Sequence, residues 1–112
     1  MEECIFCKIV NKKVLSKIVY EDEKILGFKD INPKALVHIL IIPKKHILSV
    51  DHLELEDEAL IGQLILTAQK IAKEQKVAES GYRLIFNIGK DADQTVEHLH
   101  LHLMGGEKLP FI

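Results

Sequence analysis

His98-Leu99-His100-Leu101-His102-Leu103-Met104 places three of the chain's six histidines within five residues. Strict alternation of histidine with leucine is a strand pattern, because successive side chains on a strand point to opposite faces. The pattern predicts a strand over about 97–103, with Leu99, Leu101 and Leu103 entering a core and His98, His100 and His102 aligned on the other face. Histidines two apart on such a face stand about 6.5–7 Å from one another. Imidazole changes charge near neutral pH and serves as nucleophile, acid, base or metal ligand. A half-exposed strand using histidine as its polar residue explains the alternation but not the choice of histidine, so the face is read as chemical.

Upstream, Ile5, Phe6, Ile9 and Val10 at helical spacing predict a short N-terminal helix reaching about Asn11. Residues 18–21 and 25–29 read as a hairpin around an acidic turn. Asn32-Pro33 ends the second strand, and 38–42 is a nearly continuous apolar strand stopped by Pro43. Over about 56–75 the period changes to 3.6: Leu60, Leu64, Ala68, Ile71 and Ala72 form one stripe, which Ile61 and Ile65 widen. Glu56, Asp57 and Glu58 in its first turn and Lys70 and Lys73 near its last suit the helix dipole. This stripe is core, with no cofactor box in it. A fourth strand over 84–88, a polar loop over 89–95 and the histidine strand complete the chain. The expected fold is α+β, an antiparallel meander packed on one main helix, with residues 1–112 forming a single domain.

A chain of 112 residues buries roughly two-thirds of the surface its unfolded form exposes. Tryptophan is absent and aromatics make up only 5%, so Ile, Leu and Val must build the core. A net charge of -2 offers no basic face for nucleic acid, and Lys12-Lys13 and Lys44-Lys45 read as solvated turns. The longest apolar run, Ile39 to Ile42, is too short to span a membrane. Met1-Glu2-Glu3-Cys4 is acidic and lacks a signal-peptide core. A cytoplasmic location is expected.

A nucleophilic imidazole must be neutral on the attacking nitrogen, which requires a partner on the other. His100, flanked on both sides, is the natural nucleophile, and His102 would contact the electrophile or pass a proton to the leaving group. The loop before the strand, Asn87 to Thr95, offers amides, a hydroxyl and a glycine suited to phosphate oxygens. Turn chemistry equally explains Asn87, Gln94 and Thr95. Cys4-x-x-Cys7 leaves three readings open: metal binding, redox exchange, or two packed thiols. No strand precedes the motif, which counts against a thioredoxin-like exchange site. Two cysteines and two histidines would satisfy tetrahedral zinc, but spacing alone does not choose the histidines. His52 reads as solvent-exposed.

Taken in order, these motifs resemble the histidine triad (HIT) family, most nearly its Hint-like, adenosine 5'-phosphoramidate hydrolase branch. The likeness runs from Cys4-Ile5-Phe6-Cys7-Lys8 through Phe28-Lys29-Asp30-Ile31-Asn32-Pro33, His38 and Ile41-Ile42-Pro43-Lys44-Lys45-His46 to Leu103-Met104-Gly105-Gly106. The resemblance implies a small α+β subunit whose sheet extends across a homodimer. It implies hydrolysis of purine nucleoside 5'-monophosphates linked at the α-phosphate, such as AMP conjugates. His100 would be the nucleophile, forming a transient nucleotidyl-histidine. His102 would lie on the phosphate and leaving-group side, with His38 beneath the triad. Asn87, Gln94 and Thr95 match phosphate or leaving-group positions, Asp30 the ribose-binding carboxylate, and Ile5, Phe6, Ile31 and Leu40 the walls around the base. Some relatives hold structural zinc with residues matching Cys4, Cys7, His46 and His98. A ligated His98 could not serve as a base and would anchor its strand. Thr95 stands where the branch usually has serine, and the tail after Gly106 lacks the tryptophan-bearing ending of some relatives. Within the superfamily the alternatives are a dinucleoside polyphosphate hydrolase, a nucleotidyl transferase, or a purine-nucleotide-binding module with little turnover. In the dimer, Ile61 and Ile65 are expected nearer the interface than the core stripe.

Overall fold

A computed structural model of the protein describes residues 4–111. The elements are α1 (Ile5–Val10), β1 (Ile18–Glu21), β2 (Ile25–Lys29), β3 (Val37–Pro43), α2 (Glu58–Glu74), β4 (Tyr82–Phe86) and β5 (Leu101–Gly105), with short 3-10 turns at Val50–His52, Leu55–Asp57 and Lys90–Ala92. The strands form one antiparallel sheet in the order β1-β2-β3-β5-β4. The α+β class is as expected, but the simple meander is not. After β1-β2-β3, β5 takes the place beside β3 and β4 is displaced to the edge. Burial accounts for the order. β3 is buried at six of its seven positions and β5 at alternate ones, whereas every residue of β4 is only half-buried, which suits an edge.

The two faces of the sheet carry separate cores. Ile25, Ile39, Ile41, Leu101 and Leu103 pack against Leu64, Ala68, Ile71 and Ala72 of α2. Each fully buried Ile or Leu among them contributes about 1.5–3 kcal/mol. Gly27 admits the helix closely, since a Cβ there would lie 3.0 Å from Cδ1 of Ile71. On the opposite face Leu26, Phe28, Leu40 and Ile42 pack under Phe6 and Ile9 of α1. Leu40 pairs with His102 and His38 with Met104, so both histidines share the α1 face.

The histidine strand starts later than its alternation suggested. Pairing begins at Leu101, and residues 96–100 approach it irregularly. Two interactions draw this segment off the ladder. The backbone N–H of Leu99 donates to the Ile47 carbonyl (2.6 Å), and the His100 ring bonds the His98 carbonyl two residues back. His98 and His100 are therefore buried rather than lined up on an open face. The alternation survives from Leu101 onward, with Leu101 and Leu103 inward and His102 half-buried.

Other boundaries shift modestly. β4 runs two residues earlier than expected, at Tyr82–Phe86, because it can pair only where β5 exists and Phe86 meets Leu101. Asn87 and Ile88 thus fall past its end. β3 gains a residue at each end, and α1 stops at Val10. α2 begins at Glu58, after a 3-10 turn in which the Asp57 carboxylate accepts the Glu54 N–H at 2.9 Å. Ile61 is half-buried against the core, whereas Ile65 and Leu66 are exposed on the outer side of α2. His52 is exposed, as expected. Among the described residues, no helix is long and apolar enough to cross a membrane.

Candidate active site and candidate metal centre

A pocket of about 310 Å³ opens on the α1 face of the sheet. α1 contributes Ile5 and Phe6, the end of β2 leads into Asp30 and Ile31, β3 supplies Leu40, and the final segment brings His100 and His102. Apolar walls with a few convergent polar groups are the usual composition of a small-molecule site. The Phe6 ring meets His100 edge-on, with centroids 5.2 Å apart, and meets Phe28 the same way at 5.4 Å.

The hydrogen bonds assign each tautomer. Nδ1 of His38 accepts the Lys34 backbone N–H (3.0 Å), so its Nε2 carries the proton. That Nε2 lies 2.9 Å from Nδ1 of His102 and 3.5 Å from a carboxylate oxygen of Asp30. His102 therefore accepts on Nδ1 and keeps a proton on Nε2. Nδ1 of His100 donates to the His98 carbonyl at 2.7 Å, leaving its Nε2 with a free lone pair. Nε2 of His98 donates to the Pro43 carbonyl at 2.8 Å, leaving its Nδ1 free. Burial keeps all four rings neutral near pH 7. It pushes His98 and His102 down to about 4, and lowers His100 and His38, with Asp30 partly opposing the shift in both.

The free Nδ1 of His98 points at two thiols, 3.4 Å from Cys4 Sγ and 3.6 Å from Cys7 Sγ, while Nδ1 of His46 lies 3.2 Å from Cys7 Sγ. These four ligand atoms all lie within 4.8 Å of one another. In a zinc tetrahedron the S···N edge is about 3.6 Å, and the soft, neutral or thiolate donors suit that ion, so the set fits a metal. Asp30, His38 and His102 also converge within 4.8 Å. There the Lys34 N–H keeps the His38 proton on the inward nitrogen, which makes the trio a proton-bearing chain rather than a ligand set.

Of the residues singled out from sequence, Ile5, Phe6, Asp30, Ile31, Leu40, Thr95, His100 and His102 line the pocket. His38 lies buried behind His102. Asp30 is braced by the Asn32 N–H on its other oxygen, at 2.9 Å. Gln94 lies outside this pocket. Its amide donates to the carbonyls of Leu48 (2.7 Å) and Val96 (3.1 Å) and accepts the Gly89 N–H (3.0 Å), which is loop-holding chemistry. Asn87 is half-buried beyond β4 and does not line the pocket. Sequence reasoning missed Val14, Leu15 and Ser16, which form part of the rim. The available signal was an apolar pair, one of them the fully exposed Leu15, set in an otherwise polar linker.

A family model described as "Scavenger mRNA decapping enzyme C-term binding" matches residues 3–109. The chain is 45% identical over 108 residues to the purine nucleoside phosphoramidase of Escherichia coli K12, covering 96% of this chain and 91% of that protein. Among solved structures it is similar to a HIT family hydrolase from Legionella pneumophila Philadelphia 1 (41% identity, 97% of each chain covered, TM-score 0.95). It is equally similar to a HIT family hydrolase from Clostridium thermocellum (46% identity, 100% of this chain and 97% of that one, TM-score 0.96).

Proposed function

The chain belongs to the histidine triad family, and on that basis we propose that it is a purine nucleoside phosphoramidase working through His100. The observation that carries the reading is the His100–His98 hydrogen bond, which holds the ring proton on Nδ1 and leaves Nε2 free to attack. Nε2 of His100 would attack the α-phosphorus, forming a P–N bond to the ring as the bond to the leaving amine breaks. The leaving nitrogen takes up one proton from a solvent water while Nε2–H of His102 hydrogen-bonds to it. Water then attacks the nucleotidyl-imidazole, freeing the nucleoside monophosphate and returning one proton. The positive charge on the intermediate ring is met by the His98 carbonyl.

In this reading Ile5, Phe6, Ile31 and Leu40 enclose the base, Asp30 holds the ribose and Thr95 the phosphate. Gln94 shapes the loop that presents Thr95, and Asn87, past the end of β4, lies outside the pocket. Cys4, Cys7, His46 and His98 would hold one zinc ion, which supplies structural cross-linking with all four positions filled by protein. Two free cysteines this close together are in accord with a reducing, cytoplasmic location. The chain, a single domain over 1–112, would pair about a two-fold axis, which the free β4 edge and the apolar Ile65 and Leu66 of α2 support.

The test is turnover of adenosine 5'-phosphoramidate beside a diadenosine polyphosphate, with acid-quenched enzyme examined for an adduct. Faster cleavage of the phosphoramidate and an acid-labile AMP–His100 adduct are expected. Preference for the polyphosphate, or no adduct under single turnover, overturns the assignment.

A further inference from the structure

Two cysteines in a metal centre are also a two-electron redox couple, and here the couple opens to solvent. Cys4 and His46 line a cleft of about 670 Å³ beside the nucleotide pocket, and both cysteines are partly exposed. Ile5, Thr95 and Val96 line both cavities, forming the wall between them. The residues between the cysteines, Ile5 and Phe6, are themselves pocket walls, and Phe6 packs on the His100 ring. From the other side, His98 offers its ring to the thiols and its carbonyl to His100. The contacts that gather the metal ligands also support the nucleotide site.

We propose that peroxide converts Cys4 and Cys7 to a reversible disulfide, releasing the metal and weakening nucleotide binding. This rests on the reading of Cys4, Cys7, His46 and His98 as a zinc centre. One thiolate attacks the O–O bond of the peroxide, giving a sulfenic acid and hydroxide. The other thiolate attacks the sulfenic sulfur, forming the S–S bond and expelling a second hydroxide. The cysteine pair loses two electrons and the peroxide gains them. Local geometry suits the step: Cys4 caps α1 and its sulfur accepts the Cys7 N–H at 3.4 Å, so both sulfurs sit on one helical turn. Disulfide sulfurs lie about 2.05 Å apart, against about 3.8 Å across the S···S edge of a zinc tetrahedron. The bond therefore withdraws two ligands at once, and the two neutral imidazoles left do not retain the ion. α1, six residues long, is then held by the packing of Phe6, Ile9 and the partly buried Val10, and displacement of Phe6 opens a wall of the base pocket.

The experiment treats the full-length, zinc-loaded protein with hydrogen peroxide. It follows zinc release with a chromophoric chelator, loss of two hydrogens from the Cys4–Cys7 peptide by mass spectrometry, and AMP affinity by calorimetry. One zinc released per disulfide and AMP binding weakened by roughly tenfold are expected, all restored by dithiothreitol with added zinc. In Cys4→Ser no disulfide forms and AMP affinity should not respond to peroxide; should that variant fail to fold, the reversal in wild type carries the test. Irreversible oxidation without a disulfide, or a disulfide with AMP affinity unchanged, overturns the proposal. Elemental analysis of untreated protein separates the two readings. Absence of zinc there overturns the metal centre itself, whereas zinc that leaves without altering AMP affinity overturns only the coupling.

Discussion

Nε2 of His38 lies 2.9 Å from Nδ1 of His102, and the Lys34 N–H on the far side of His38 permits that bond only one direction. A backbone amide outside the pocket thereby decides which nitrogen of His102 carries the proton. The same logic, run through the His98 carbonyl, leaves His100 as an acceptor. His100 and His102, two residues apart, are thus set to opposite donor and acceptor states by groups that do not line the pocket.

Removal of the nucleophile should separate binding from chemistry. His100→Gly is expected to lower kcat by more than about 10³-fold while AMP affinity stays within a few-fold, because the attacking nitrogen acts mainly in the transition state. Exogenous imidazole should restore part of the rate. Stopped-flow turnover and calorimetry check the split; a kcat near wild type excludes His100 as nucleophile.

His102→Ala should cost about 10²–10⁴-fold in kcat/KM, the range for a positioned proton donor. His38→Ala should cost less, and the double variant little more than His102→Ala alone, since His38 acts through His102. A double-mutant cycle on kcat/KM measures the coupling. Fully additive losses would mean that His38 works independently.

Activity should tolerate acid unusually well for a histidine enzyme. Burial, with His100 and His38 alongside, holds His102 at about 4, so its neutral form predominates above that value and is lost only as pH falls through it. His102 itself should cause no fall in kcat/KM until pH approaches about 4, provided circular dichroism shows the protein folded. A decline centred near the ordinary imidazole value, ~6.5, would contradict this.

Asp57 is buried and bonded to Lys45 Nζ at 2.7 Å and to the Glu54 N–H at 2.9 Å. The Lys45 ammonium, then the Glu54 amide, holds its carboxyl below the usual carboxylate range. A depressed folded-state value contributes stability above the unfolded value, about 3.9, and loses it as pH falls toward the folded one. Asp57→Asn should therefore melt lower than wild type at pH 7, with the gap closing below about pH 4. An equal gap at pH 3 and pH 7 would assign the effect to packing instead.

Replacing Leu66 by Glu on the exposed side of α2 should shift the protein toward monomer in light scattering, with its fold retained by circular dichroism. An unchanged mass would rule this face out as an interface between copies of the chain.

Periodicity made the faces of the sheet readable from sequence, because Leu101, His102 and Leu103 need only their own alternation to be sorted. It misplaced the start of β5, since His98 is pulled aside by the Pro43 carbonyl and two thiols far away in sequence. Strand order was hidden for a related reason. Residues 82–86 and 101–105 both read as strands, and only competition for the buried place beside β3 separates them. Four of the apolar pocket walls, Ile5, Phe6, Ile31 and Leu40, were legible in recognisable motifs. The groups that set the tautomers, Lys34 N–H and the carbonyls of Pro43 and His98, were not, because every residue but proline carries the same backbone atoms.

Because β5 follows all the other described elements and slides between β3 and β4, the pocket on the α1 face is closed only after α1, β2 and β3 have been made. His38 meets His102, and His98 meets Pro43, only across separations of 64 and 55 residues, the kind of contact that forms late in folding. A nascent chain carrying the pocket walls of α1, β2 and β3 still lacks His100 and His102, so the pocket gains both imidazoles together when the final segment docks.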